Sequence, residues 1–181
     1  MRRVRLAEAP AEILSYATRA GRPVLLLDGG SGAGKTSLAA LVAETWCAQR
    51  DEELQVVSLD DVYPGWYGLA DGSAAVPQIL AARGAGYRRW NWATSEPADW
   101  RSVDPARPIL VEGCGAITRG SAALATCRVW LELDEPVRKA RALDRDEGGY
   151  DPYWDIWAAQ EQVHWRKNRP WDLADITVQV G

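Results

Sequence analysis

The 181 residues carry 25 acidic against 21 basic side chains, a net charge of −4, and 47% of them are hydrophobic. A chain of this length can bury around 70% of its unfolded surface in one core without disulfide staples, and its mild acidity argues against a nucleic-acid coat. No apolar run approaches the roughly 18 residues of a membrane span, and the opening MRRVRLAEAPAEIL has positive charge with no apolar segment behind it, so a single domain over 1–181 in the cytoplasm, with no membrane or nucleic-acid partner, is expected. Cys47, Cys114 and Cys127 are odd in number and lack C-x-x-C or zinc-ligand spacing, which reads as reduced thiols.

In chain order, an Ala-, Glu- and Leu-rich helix is expected over about 7 to 19, closed by Gly21 and Pro23. A first strand, 24 to 28, runs into the pattern G-x-x-x-x-G-K-[ST], with Gly29, Gly34, Lys35 and Thr36 in the fixed positions and a helix over 35 to 49 behind it. Strand, glycine-rich loop and helix in that order turn backbone N–H groups inward as an anion nest and add the positive end of a helix. Gly29, Gly30, Ser31, Gly32, Ala33, Gly34, Lys35, Thr36 and Ser37 are therefore expected to hold the phosphates of ATP, with Lys35 as a mobile cation and the Thr36 hydroxyl on Mg²⁺.

The second strand, about 54 to 58, ends in Asp60 and Asp61. Between 62 and 107 the texture changes. Nine Gly or Pro, many aromatics and one plausible short helix near 76 to 83 read as an irregular insert. A third strand follows at 108 to 112, a short helix near 119 to 125, a fourth strand at 128 to 133, helices at 136 to 146 and 152 to 166, and a closing strand at 175 to 180. Alternating strands and helices predict an α/β fold, a five-stranded parallel sheet flanked by helices.

Chemistry in such sheets lies at the carboxyl ends of the strands. There the chain offers the phosphate loop, Asp60 with Asp61, and Glu112 in ILVEGCG. Phosphoryl transfer asks for a cation and amides on the β and γ phosphates, an acid near Mg²⁺, and a carboxylate to take the proton of the attacking hydroxyl. All three are present. Adjacent residues in an extended segment point to opposite sides, so one aspartate of the pair is expected to face the γ-phosphate.

These residues resemble the uridine kinase-like branch of P-loop kinases, the group that also includes phosphoribulokinase and bacterial pantothenate kinase. Ser58, Leu59, Asp60 and Tyr63 match the family's serine, variable residue, aspartate and tyrosine after the second strand, and Glu112 with Gly113 matches its Glu-Gly strand end. The resemblance implies a P-loop NTPase fold, Asp60 rather than Asp61 as the base, and Glu112 with Thr36 at Mg²⁺. It also implies a lid over about 138 to 152, where VRKARALDRD supplies Arg138, Arg141, Arg145 and Asp146, with Arg145 on the transferring charge. Ala174, Asp175 and Ile176 resemble the alanine-aspartate step of the last strand.

The chain departs from that family where the acceptor is chosen. It has Gly149, Tyr150 and Asp151 in place of a Gly-Arg-Asp step, and RRWNWATSEP leaves Asn91 where an aspartate grips a nucleoside sugar. Ten tryptophans without one phenylalanine set the chain apart. Trp130, Trp154 and Trp157 are expected in the core. Trp90, Trp92 and Trp100, with Trp66, Tyr63, Tyr67 and Tyr87, fall in the insert, where amphipathic rings can line an acceptor pocket or form a partner-binding patch. Tyr63, Trp90, Asn91, Trp92 and Arg141 are the candidate acceptor residues. His164, the only histidine, is expected half-buried on a helix surface.

Together these features predict an ATP- and Mg²⁺-dependent kinase acting on a hydroxyl of a small metabolite, nucleoside-like by preference. A nucleotide switch or ATPase acting on a protein partner is the alternative, as is nucleotide binding without turnover, although the chain has neither an N-K-x-D nor an L-S-G-G-Q motif.

Overall fold

The computed structural model describes residues 1–17, 21–145 and 149–181. Its centre is a parallel sheet in the order β1-β8-β7-β2-β6-β3, formed by Arg2–Arg5, Ile176–Gln179, Cys127–Glu132, Val24–Gly29, Ile109–Glu112 and Gln55–Ser58. Six strands stand where the sequence predicts five. The addition is β1, an edge strand in which Val4 alone is buried. RRVR has too little apolar character to read as a strand, and it becomes one because β8 offers an open row of backbone groups.

All six residues of β2 are buried, as expected of a central parallel strand covered on both faces. Leu25 and Leu27 enter one core with helix α1 (Ala9–Ala17) and helix α2 (Lys35–Gln49), whereas Val24 and Leu26 face the other core with Trp154 and Trp157. In α2 the buried set Leu38, Ala39, Val42 and Trp46 keeps helical spacing. Asp146 and the residues beyond 17 of the first expected helix lie outside the described residues.

The insert is more regular than its composition suggests. Helix α3 spans Leu69–Ile79, starting earlier than expected and containing Pro77, and strands β4 (Gly86–Asn91) and β5 (Glu96–Ser102) pair as an antiparallel hairpin. Pro97, opposite Trp90, and a register shift between Arg88 and Trp90 disguise the alternation that would betray a hairpin. Beyond β6 come the short helix α4 (Arg119–Ala122), α5 (Glu135–Arg145), α6 (Trp154–Asn168) and α7 (Pro170–Leu173), the last not foreseen. No described helix is long and apolar enough to cross a membrane.

Candidate functional site

The carboxyl ends of β2, β6 and β3 lie side by side, and the register sets Glu112 opposite both Leu27 and Ser58. The phosphate loop leaves β2 at this edge. Gly32 (φ 79°) and Gly34 (φ 92°) take the left-handed conformation that glycine adopts without strain, and Gly34 caps α2. Lys35 is buried, and its Nζ donates to the Gly30 carbonyl at 3.0 Å and lies 3.3 Å from Cys114 Sγ. Burial works against its charged form, but the Cys114 sulfur and the carboxylates of Glu112, Glu161 and Asp60 more than restore it and hold the ammonium above the ordinary lysine value.

Glu112 is also buried. Its Oε1 accepts from the Ser58 hydroxyl at 2.7 Å and from the Thr36 hydroxyl at 3.1 Å. Burial raises its pKa, against the pull of Lys35 and of those two hydroxyls. A hydroxyl and a carboxylate side by side, with Asp60 near, form an all-oxygen donor set that suits a hard divalent cation such as Mg²⁺.

Ser58 caps the short turn Leu59–Asp61 by accepting the Asp60 N–H. Asp60 lines a cleft of about 860 Å³ shared with Lys35, Thr36, Ser37 and Glu112, and the loop residues Ser31, Gly32 and Gly34 also line it. Asp61 is not among the lining residues and lies toward Tyr87 of the hairpin. Arg141 and Arg145, on α5, line the same cleft. Gly29, Gly30 and Ala33 are buried and do not line it.

Aromatic rings line the same cleft: Tyr63 and Trp92, joined by Trp66, Tyr150 and Trp157. The Tyr63 hydroxyl, kept protonated by burial, donates to the Cys114 carbonyl at 2.7 Å, and its ring meets Trp157 edge-on at 4.8 Å. Trp92 Nε1 donates to the Asp60 carbonyl at 2.8 Å, tying hairpin to strand end. Trp66 stacks on Tyr153 (4.3 Å, 6°) and meets Trp92 edge-on at 4.9 Å. Two expected acceptor residues are elsewhere. Asn91 spends its carbonyl oxygen on the N–H groups of Ala93 and Thr94 in the hairpin turn, and Trp90 packs beside Gly65 with its buried N–H unpartnered.

Arg138, read from sequence as one of a row of lid arginines, is buried against the loop instead: it donates to the Ser31 carbonyl at 3.0 Å and the Leu133 carbonyl at 3.1 Å. His164 is not half-buried but 6% exposed, with Nδ1 3.1 Å from Asn168 Nδ2 and Nε2 3.7 Å from Asp28 Oδ2. Asp28, missed in the sequence, is fully buried and accepts the N–H groups of Gly29, Gly115 and Ile117, fastening the loop's entrance to the segment after β6. The signal for the α6 residues was present. Trp154, Trp157, Glu161, His164 and Asn168 repeat every three or four residues, so the polar members continue an apolar stripe into the interior. Asp175 at the mouth of β8 accepts from the backbone and guanidinium of Arg128 and so anchors the last strand.

No protein-family model matches the chain, and no curated protein matches it by sequence. Solved structures do. A possible uridine kinase from Bacillus stearothermophilus superposes with a TM-score of 0.66 at 19% identity, covering 96% of this chain and 96% of that one. The chain has the P-loop kinase fold. A protein from Silicibacter sp. TM1040 described as a fructose transport system kinase gives 0.57 at 19% identity, over 96% of this chain and 98% of its own. At that identity the likeness is one of architecture: a parallel sheet flanked by helices, here with six strands.

Proposed function

We propose that this protein is an ATP-dependent kinase that transfers the γ-phosphate to a hydroxyl of a small, nucleoside-like metabolite. The observation that carries this reading is the convergence of Lys35, Thr36, Glu112 and Asp60 on one cleft that five aromatic side chains also line. The volume suits a nucleotide with a small acceptor, and the fold shared with two proteins described as kinases supports the reading.

Lys35 and the loop amides hold the β and γ phosphates, as donors already aimed at the charge that develops in transfer. Thr36 and Glu112 would hold Mg²⁺, which when bound neutralises phosphate charge. Asp60 orients the acceptor hydroxyl and takes its proton onto a carboxylate oxygen as the hydroxyl oxygen attacks the γ-phosphorus and the bond to the β–γ bridging oxygen breaks, releasing ADP. Arg145, with Arg141 one turn before it, places positive charge over the transferring group. Trp92 holds the Asp60 backbone and offers its ring to the acceptor, while the surrounding rings exclude the water that would otherwise hydrolyse ATP.

The test is an ATP-consumption screen over nucleosides, vitamins and sugars with the product mass measured. A phosphorylated acceptor, formed much faster than ATP is hydrolysed alone, is expected. Hydrolysis that no acceptor accelerates would sink the kinase reading.

A further inference from the structure

Glu161 does not line the cleft and is 2% exposed, yet three groups around the phosphate loop converge on it. Its Oε1 accepts the Ser31 N–H at 2.6 Å and lies 3.2 Å from the Cys114 thiol, and its Oε2 faces Arg138 Nη1 at 3.4 Å. Arg138 gives that same Nη1 to the Ser31 carbonyl. Both backbone polar groups of Ser31 are thus held by side chains, one from α5 and one from α6.

An ion pair this deep is a poor source of net stability, because the desolvation of two charges cancels most of their attraction, and an apolar pair of similar volume does as well or better. The arrangement does supply position. A loop with Gly32 and Gly34 in left-handed conformations has many alternatives open to it, and fixing its apex removes them before a ligand arrives. Arg138 also shares one face of α5 with Arg141 and Arg145, three and seven residues further on, both lining the cleft.

We infer that Arg138 and Glu161 are positioning residues, a clamp that fixes the phosphate loop at Ser31 in its anion-receiving shape and sets the arginines of α5 over it. The inference rests on the reading of the loop as the nucleotide site. It assigns the pair a role in nucleotide affinity, exerted through Ser31 and without contact to the phosphates.

The double variant Arg138→Met/Glu161→Leu removes both charges at similar volume. It should keep the parental melting temperature within a few degrees and raise the Kd for MgATP about tenfold or more. At saturating MgATP its kcat should fall while the KM for acceptor stays at the parental value. Arg138→Lys, which keeps the charge but loses the planar fork, should lie between. A double variant that keeps both its melting temperature and the parental MgATP affinity overturns the clamp.

Amide hydrogen exchange on the unmodified protein gives a second readout, independent of how any variant folds. The clamp requires Ser31 N–H to be as protected without nucleotide as the amides of β2, with little added by MgATP. Rapid exchange at Ser31 that only MgATP slows overturns it. If the parent does not bind MgATP at all, the reading of the loop fails, and the exchange result alone decides whether Ser31 is clamped.

Discussion

The two ends of the cleft are built in opposite ways. At the phosphate end, polar groups are held by neighbours from the central sheet or from helices packed on it: Glu112 by Ser58 and Thr36, the loop entrance by Asp28, its apex by Arg138 and Glu161. At the acceptor end the rings come from the segment after β3, the turn of the β4–β5 hairpin, the residues before α6 and α6 itself, their contacts are ring on ring, and Trp92 and Tyr63 spend their polar handles on the protein's own backbone. Directional bonds fix where a charge can sit to within a few tenths of an ångström, whereas stacked rings define a surface. The phosphate end is therefore built for one chemistry, and the acceptor end for a shape.

The sharpest way to break this division is at its seam. Asp60→Asn keeps size and the backbone contact with Trp92 but removes the proton acceptor, so kcat should fall roughly 10² to 10⁴-fold with MgATP affinity unchanged. Asp61→Asn, outside the cleft lining, should change kcat far less. Steady-state kinetics at saturating ATP across a Mg²⁺ series compares them, and a dead Asp61 variant beside a near-normal Asp60 variant reverses the assignment. Next in size, Lys35→Ala should cost roughly 10² to 10³-fold in turnover and weaken MgATP binding in calorimetry, with the fold intact. Parental binding and turnover would show that the loop serves something other than phosphates.

The aromatic wall should respond differently. Trp92→Ala is expected to raise the KM for acceptor about tenfold while the KM for ATP holds. Equal losses for both substrates, or a collapsed melting temperature, would mean that the hairpin is structural and the division false. The smallest expected effect concerns stability. Burial lifts the folded-state pKa of Glu112 above its ordinary 4.5, so the folded state binds the extra proton. Stability therefore falls as pH rises from that value through the elevated one, and the ionised carboxylate costs stability at neutral pH. Glu112→Gln should flatten this slope in thermal melts of the nucleotide-free protein and raise Tm at pH 7, while Mg²⁺-dependent transfer is lost. A lower Tm would mean that the Lys35 pairing outweighs the desolvation.

What the sequence determined by itself was local or periodic. The order strand, loop, helix around Gly29 to Thr36 follows from neighbouring residues, and the central strands follow from runs such as VLLLD and ILVE whose burial needs no partner to be recognised. Glu112 ends a strand, Asp60 follows one, and Lys35 and Thr36 close the loop that leaves another, and a parallel sheet brings such strand ends to one edge whatever the details of packing.

Tertiary structure decided the rest. β1 exists because β8 has an open edge, and the hairpin exists although a proline and a register shift interrupt its alternation. Asn91 and Trp90 adjoin Trp92 in sequence, but the hairpin's turn and twist send only Trp92 to the cleft. Arg138 reads as one of a row of lid arginines until the Ser31 carbonyl and Glu161, 23 residues later, are placed beside it. A buried charge is legible only with its partner, and its partner is a property of the fold.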